Sequence, residues 1–410
     1  MKKLIGNAVV GQSGGPTVAI NATLAGVIRG ALECTDTVKK LYGMRNGVEG
    51  FLREDLVDLN EIFANEENIV ALEHTPAAAL GSCRKKLPDP DGGDPVYEQI
   101  TEIFKKYDIR YFFYLGGNDS MDAVAKLSRY FDKIGYEARV VGVPKTIDND
   151  LCGTDHSPGF GSAAKFIATT VQEIIRDCAV YRVPAVTVVE IMGRDAGWLT
   201  ASSALGKLAG GVAPDLVYLP ERVFDMDNFY RDVERALAVH PNVVIAVSEG
   251  VRFADGRYVG EGTQSGATDA FGHKYLAGTG KMLEQAVKDH FGCKVRSIEL
   301  SLPQRCAAHI QSKTDIDESV KVGKTAVYAA IDGASRVMMS IDRVSTKPYE
   351  SKISYSDIAK IANQVRSVPQ EFINDESNGV TDECLEYLLP LIEGETAPKY
   401  VHGIPVHFVI

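Results

Sequence analysis

No apolar run in this chain reaches the ~18 residues that a membrane-crossing helix needs, and no stretch is of low complexity or reads as a long linker. A membrane anchor is therefore not expected. Cysteine is sparse. Cys34, Cys83, Cys152, Cys178, Cys293, Cys306 and Cys384 are scattered over 410 residues with no CxxC pair and no regular spacing. That pattern excludes a disulfide framework and fits reduced thiols in a cytoplasmic protein. Positive charge is also short, with a net charge of −11. Such a field argues against nucleic acid and anionic membranes as partners, yet leaves room for a small anion held by a local arginine cluster.

Two nucleotide signatures are missing as well. Gly323-Lys324-Thr325 looks like the end of a P-loop, but Glu318 stands where the first glycine is required. Gly278-Thr279-Gly280-Lys281 continues into Met282 and lacks the same glycine. There is no GxGxxG with an acidic partner, so nicotinamide binding is not indicated. The start, Met1-Lys2-Lys3-Leu4-Ile5, has the charge of a signal peptide. Its apolar stretch, however, runs into Gly11-Gln12-Ser13-Gly14-Gly15-Pro16 rather than a small-residue cleavage site.

What the chain does contain is an alternation of strand, glycine turn and helix. With 45% hydrophobic and 24% charged residues its composition is that of an ordinary soluble protein. Strands are predicted at 4–10, 38–42, 111–115, 139–143, 184–192, 215–219, 242–248 and 295–300, and helices at 17–32 and 161–178. Gly43, Gly47 and Gly50 mark a loop, as do residues 85–96, and 251–270 reads as a hairpin or loop. A helix is expected at about 354–365 and a late strand at Val406–Ile410. Pro184-Ala185-Val186-Thr187-Val188-Val189-Glu190-Ile191-Met192 is nearly continuous in β-branched residues, as suits a strand buried on both faces of a parallel sheet. The class is α/β, doubly wound, with two Rossmann-like domains. The length also suits more than one domain.

Function points to the strand ends. Gly116-Gly117-Asn118-Asp119-Ser120 follows one apolar run and Pro144-Lys145-Thr146-Ile147-Asp148-Asn149-Asp150 follows the next. In open α/β sheets ligands sit beyond the carboxyl ends of the strands. Glycines there let backbone N–H groups approach a phosphate, carboxylates hold Mg²⁺ or take a proton, and a lysine balances transferring charge. That set suits phosphoryl transfer. An Asp at such a position also serves as a helix cap or turn residue, and a lone arginine is more often a surface ion pair. The argument therefore rests on the set and not on single members.

Taken in order, Gly14-Gly15-Pro16, Gly81-Ser82-Cys83-Arg84, the two segments above, Met192-Gly193-Arg194-Asp195-Ala196-Gly197, Glu249-Gly250, and Arg296 with Gln304-Arg305 closely resemble the phosphofructokinases over residues 1–310. The resemblance implies transfer to the 1-hydroxyl of fructose 6-phosphate, with Mg²⁺ as cofactor and a homodimer or homotetramer completing the acceptor site. It implies a donor-binding domain of residues 1–160 plus about 305–355, and a sugar-phosphate domain of about 161–304 plus 356–410. Asp148 is implied as the base. Gly15, Arg84, Gly117, Asn118 and Ser120 are implied on the donor, and Asn118, Asp148 and Asp150 on the metal. Thr146, Ile147, Met192, Gly193, Arg194, Glu249, Arg296, Leu302 and Arg305 are implied on the sugar phosphate.

Asp119 and Lys145 resemble the members that use pyrophosphate. ATP-using members have glycine at both positions, although some carry the lysine. Asp119 adds bulk and charge where an α-phosphate would lie. Two unit anions ~4 Å apart repel by several kcal/mol at an effective dielectric near 20. Departures from the family pattern stand at Asn118 (commonly Asp), Leu302 (His or Tyr), Ala185 (an arginine, with Arg182 nearby) and Cys306-Ala307 (a glycine pair). The same motifs leave open an ATP-dependent enzyme, one acting on sedoheptulose 7-phosphate, and a non-catalytic sugar-phosphate sensor.

Overall fold

The computed structural model describes residues 3–261, 278–361 and 364–410. The apolar runs become strands: β1 (Gly6–Gln12), β2 (Val38–Met44), β3 (Leu56–Asp58), β4 (Ile109–Gly116), β5 (Arg139–Pro144), β6 (Ala185–Ile191), β7 (Leu216–Tyr218), β8 (Asn242–Ser248), β9 (Lys294–Glu299), β10 (Val337–Thr346) and β11 (Tyr349–Asp357). Seven of them form one sheet in the order β11-β10-β5-β4-β1-β2-β3, and four form a second in the order β7-β8-β6-β9. Every neighbour pair is parallel except the edges β2–β3 and β10–β11.

Both central strands are buried on two faces, as their sequences demand. In β1, Ala8 and Val10 enter one core while Val9 enters another. In β6, Val186 and Val188 face one core, and Val189 and Ile191 face the opposite one. The predicted helices form at Ile20–Glu33 and Phe160–Cys178, and the expected crossover between β4 and β5 is the helix Asn118–Ile134.

In the first sheet the chain leaves β1 toward β2 and β3, then returns to build β4, β5 and β10 on the other side. The order therefore reverses between β1 and β4, the switch point where open α/β sheets leave a crevice. The glycine turns at residues 14–15 and 116–117 follow these two strands.

The near-miss phosphate motifs have structural explanations. Gly323 lies inside the helix Lys313–Ile331, and a Cβ there would stand 2.1 Å from the Thr23 carbonyl oxygen. The glycine permits two helices to touch backbone to backbone. Gly280 opens the helix Thr279–Phe291, and its N–H donates to the buried Glu190 Oε2 at 2.7 Å.

Three predicted elements differ, and a fourth is only partly described. The helix expected at about 354–365 is absent: β11 continues to Asp357, paired antiparallel to β10, and a single 3₁₀ turn follows at Ile358–Lys360. Ile353 and Tyr355 alternate as in a strand, while Tyr355, Ile358 and Ile361 recur at helical spacing, and pairing to a ten-residue neighbour decides between the two. The end at Val406–Ile410 joins no sheet. Instead Phe408 packs its ring 4.9 Å from Phe63, and its N–H donates to Thr75 Oγ1. Residues 47–52 are a short helix rather than loop. In the 251–270 segment, Arg252 bridges to Val223 and Tyr258, while 262–270 lie outside the described residues. Among the described residues no helix is long and apolar enough to cross a membrane.

Candidate active site

The carboxyl ends of both sheets open into one cavity of about 470 Å³, within the usual range for a small-molecule site. Its wall carries five cationic side chains (Arg84, Lys86, Lys145, Arg194, Arg305) and five carboxylates (Asp119, Asp148, Asp150, Asp195, Glu249). This mixture gives a strongly acidic protein a local cluster of cationic side chains.

One side of the cavity comes from the turns after β1 and β4. Gly14 has φ +76°, a conformation that L side chains rarely adopt, and a Cβ there would sit 3.4 Å from Lys145 Nζ. Its N–H donates to the Cys83 carbonyl, while Ser82 Oγ donates to the Gly14 carbonyl, so the Gly81–Arg84 turn is strapped onto the β1 turn. The buried pair Gln12–Asn21 supports that turn from below: Gln12 Oε1 accepts from Leu80 N–H and Asn21 Oδ1 from Ala79 N–H. After β4, the helix Asn118–Ile134 directs its N-terminus, with Gly117 and Ser120, at the cavity. Free N–H groups and the helix dipole favour an anion there. Asp119, in the first turn, lies 3.4 Å from Lys86 Nζ.

The loop after β5 carries the chemistry. Lys145 is 3% exposed, and its ammonium donates to the Gly15 carbonyl. Burial lowers it to about 8; Asp148 and Asp150 resist the shift, and Arg84 and Arg305 add to it. Burial pushes Asp148 up to about 7, Asp150 raises it further, and Arg194 and Lys145 pull it down. Asp150 is raised by burial too. Buried ionisable groups with opposed neighbours of this kind cluster at functional sites. The loop itself is bent: Asn149 is fully buried at φ +55°, with its Oδ1 accepting from Ser157 N–H at 3.0 Å. Behind it His156 bridges Asp155 (2.9 Å) and Glu318 (2.6 Å). Burial opposes charge on that imidazole, but the two carboxylates outweigh it and raise it to about 9.

From the second sheet come Met192, Arg194 and Asp195 after β6, and Glu249 after β8. Gly193 has φ +135°, and its N–H donates to Glu249 Oε1. Burial lifts Glu249 to about 8, with Asp148 adding to the shift. Arg305 arrives from the short helix Pro303–Cys306, which Gln304 fixes by accepting from Met192 N–H; burial lowers the Arg305 guanidinium, and Arg84 contributes.

Two cradles, one at the helix N-terminus and one among the arginines, thus flank a buried carboxylate. The profile described as Phosphofructokinase matches residues 7–330. The chain belongs to the phosphofructokinase family. It is 43% identical to the pyrophosphate–fructose 6-phosphate 1-phosphotransferase of Halomonas elongata, across 97% of this chain and 94% of that protein. It is 42% identical to the protein of the same name from Methylococcus capsulatus, with the same coverage. Its fold matches the crystal structure of a pyrophosphate-dependent phosphofructokinase from Nitrosospira multiformis with a TM-score of 0.88 and 38% identity, covering 98% of this chain and 95% of that one.

Of the residues expected in this phosphofructokinase site, three do not line the cavity. Gly193 reaches it only through its hydrogen bond to Glu249. Arg296 is exposed on the edge strand β9, and Leu302 is 53% exposed. The structure adds Lys86, Thr17, Ala196 and Val365 to the wall. Lys86 sits two residues past Arg84 in a basic run, a signal available in the sequence. Val365 belongs to no motif.

The donor set also bears on Mg²⁺. Among the described residues no three His, Cys, Asp or Glu side chains are grouped to hold a metal. Asn118 Oδ1, however, is buried without a hydrogen-bond partner, while its amide donates to Asp150 Oδ2 at 3.4 Å. An orphaned amide oxygen on a side chain that touches the Asp150 carboxylate fits Mg²⁺, which typically takes one or two carboxylates and fills the rest of its octahedron with phosphate oxygens and water.

Proposed function

We propose that this chain transfers a phosphoryl group from pyrophosphate to the 1-hydroxyl of fructose 6-phosphate, giving fructose 1,6-bisphosphate and phosphate, and that it runs in both directions. The observation that carries the reading is the juxtaposition of Asp119, Lys145 and Asp148 around one cavity, in a chain whose relatives of that name match nearly end to end.

Asp148 accepts the proton of the sugar 1-hydroxyl as its oxygen attacks the terminal phosphorus of pyrophosphate. The bridging P–O bond breaks and phosphate leaves. In reverse, Asp148 returns the proton. A positioned base contributes roughly 10²–10⁴-fold. Lys145 lies where it stabilises charge on the transferring group and the leaving phosphate. Gly15, Arg84, Gly117 and Ser120 hold the donor. Thr146, Ile147, Met192, Arg194, Glu249 and Arg305 hold the acceptor. Asn118, Asp148 and Asp150 would hold Mg²⁺, which would supply positive charge against the negative charge developing on the phosphates.

The division of labour follows the sheets, with the donor at the seven-stranded lobe and the sugar phosphate at the four-stranded lobe. Arg296 is exposed and does not line its own cavity, so its contribution to a sugar site requires a second copy of the chain. The protein works as a homo-oligomer in the cytoplasm.

The direct test is a Mg²⁺-dependent assay of fructose 6-phosphate with pyrophosphate or ATP. Turnover with pyrophosphate and none with ATP supports the reading. Preference for ATP, or for sedoheptulose 7-phosphate, replaces it, and no turnover with any pair leaves a sensor. A second expectation concerns Arg305. Arg305→Ala raises the Michaelis constant for fructose 6-phosphate by ~10-fold or more, since a charge-assisted bond is worth ~1.5–3 kcal/mol, and leaves that for pyrophosphate within about twofold. Equal effects on both substrates would place Arg305 elsewhere.

A further inference from the structure

The base loop is held by a segment that carries none of the motifs. Arg366 N–H donates to the Asp150 carbonyl at 2.8 Å, Val365 bridges to Leu151, and Arg366 Nη1 donates to the Asn149 carbonyl at 3.5 Å. One residue therefore serves two consecutive carbonyls directly after Asp148. Those carbonyls belong to the turn in which Asn149 takes a left-handed conformation. A non-glycine residue persists there only when its surroundings over-determine it.

The other side of Arg366 faces the second lobe. Its guanidinium stacks 4.4 Å from the ring centroid of Trp198, and Nη2 donates to Tyr387 OH at 3.1 Å. Trp198 Nε1 in turn donates to the Arg366 carbonyl at 3.0 Å. Trp198 opens the helix directly after Met192–Gly197, the loop that supplies Arg194 to the cavity. Two residues on, Val368 N–H donates to Glu221 Oε1, which also accepts from Gly197 N–H, both at 2.8 Å. Residues 365–368 thus tie the base loop of one lobe to the sugar-side loop of the other.

We propose that Arg366 is a positioning residue, which fixes Asp148 relative to the sugar-binding loop by clamping the Asn149–Asp150 backbone against Trp198. The proposal rests on the reading of Asp148 as the base. Arg366 does not itself line the cavity, so its loss acts on the geometry of transfer and not on ground-state binding. Small misplacements of a reacting group can cost up to ~10²-fold in rate.

The experiment uses the full chain and its single tryptophan. Arg366→Ala is expected to lower turnover by ~10-fold with both Michaelis constants within about twofold, and Arg366→Lys to recover part of that loss. In the wild type, Trp198 emission should change on adding fructose 6-phosphate with Mg²⁺ and pyrophosphate, and that change should be lost in Arg366→Ala. Tyr387→Phe, which removes one hydroxyl from the clamp, should shift turnover in the same direction by a smaller factor. It keeps the test open if Arg366→Ala does not fold. Wild-type turnover in Arg366→Ala, or in Tyr387→Phe where the first variant does not fold, overturns the proposal. So does a loss in which the Michaelis constants rise as much as turnover falls. Asp148→Asn measured in parallel separates the two claims. If it is inactive while Arg366→Ala is normal, the clamp alone fails. If it is active, the base reading fails first.

Discussion

Asp148→Asn is expected to lower turnover by ~10²-fold or more while the protein still folds. The two side chains are nearly isosteric, so the cavity and the bend at Asn149 survive. The amide, however, takes no proton from the sugar hydroxyl. The same substitution should erase a limb of the pH profile. Burial and Asp150 push Asp148 up to about 7, and a general base works only when ionised. Turnover over Michaelis constant in the wild type should therefore fall as pH drops through about 7. The residual activity of Asp148→Asn should lack that limb. Stability supplies a control of opposite sign. A carboxyl whose folded value lies above its unfolded ~3.9 favours the fold below that unfolded value. The advantage disappears as pH rises toward about 7, and above it a buried charge must be tolerated. Asp148→Asn should therefore melt at or above the wild-type temperature at pH 8, and gain less at pH 5. Near wild-type turnover, or a variant that melts lower at pH 8 than the wild type, would remove this account of Asp148.

The sites that sequence reading located share a physical property: each is a short polar or glycine-rich segment immediately after a buried apolar run. GGNDS after β4 and PKTIDND after β5 are legible because strand burial and turn chemistry both mark the boundary. The Met192–Gly197 loop after β6 is legible for the same reason. The fold class followed from these runs. The seven-to-four partition of strands between sheets did not, because β3, β10 and β11 sit at or next to sheet edges. There half-burial leaves a weaker pattern, and at 354–361 the apolar positions fit two periods. The clamp at Val365–Val368 was not legible. Arg366 lies more than two hundred residues from the loop it holds, and an arginine between a valine and a serine carries no local signal. Arg296 carried a motif but not a place, since the sequence shows a residue on a strand without showing that β9 is an edge with that side chain turned outward.

Asp119→Gly is expected to move the donor preference toward ATP by ~10-fold or more, measured as the ratio of turnover over Michaelis constant for ATP to that for pyrophosphate. Asp119 stands in the first turn of the helix Asn118–Ile134 and lines the cavity; on the proposed donor side, an α-phosphate beside it would meet both its volume and its charge. In isolation two unit charges ~4 Å apart cost ~4 kcal/mol at an effective dielectric of 20. Lys86, 3.4 Å away, offsets part of that, and both side chains are partly solvated, which leaves ~1.4 kcal/mol, a factor of ten, as the expected net effect. Removing Asp119 also removes the ion pair it makes with Lys86. Asp119→Asn separates the two causes, because it keeps the volume and removes the charge: a ratio midway between wild type and Asp119→Gly assigns the exclusion to both. Glycine near a helix start costs up to ~1 kcal/mol, so melting temperature is measured alongside to keep stability out of the comparison. Lys145→Met tests the other half of the site. It should depress turnover with pyrophosphate in every Asp119 background, since the buried ammonium faces the donor whichever residue stands at 119. A donor ratio unchanged within about twofold in Asp119→Gly would mean that ATP is excluded by the shape of the cavity beyond the phosphates, and that Asp119 serves the helix rather than the choice of donor.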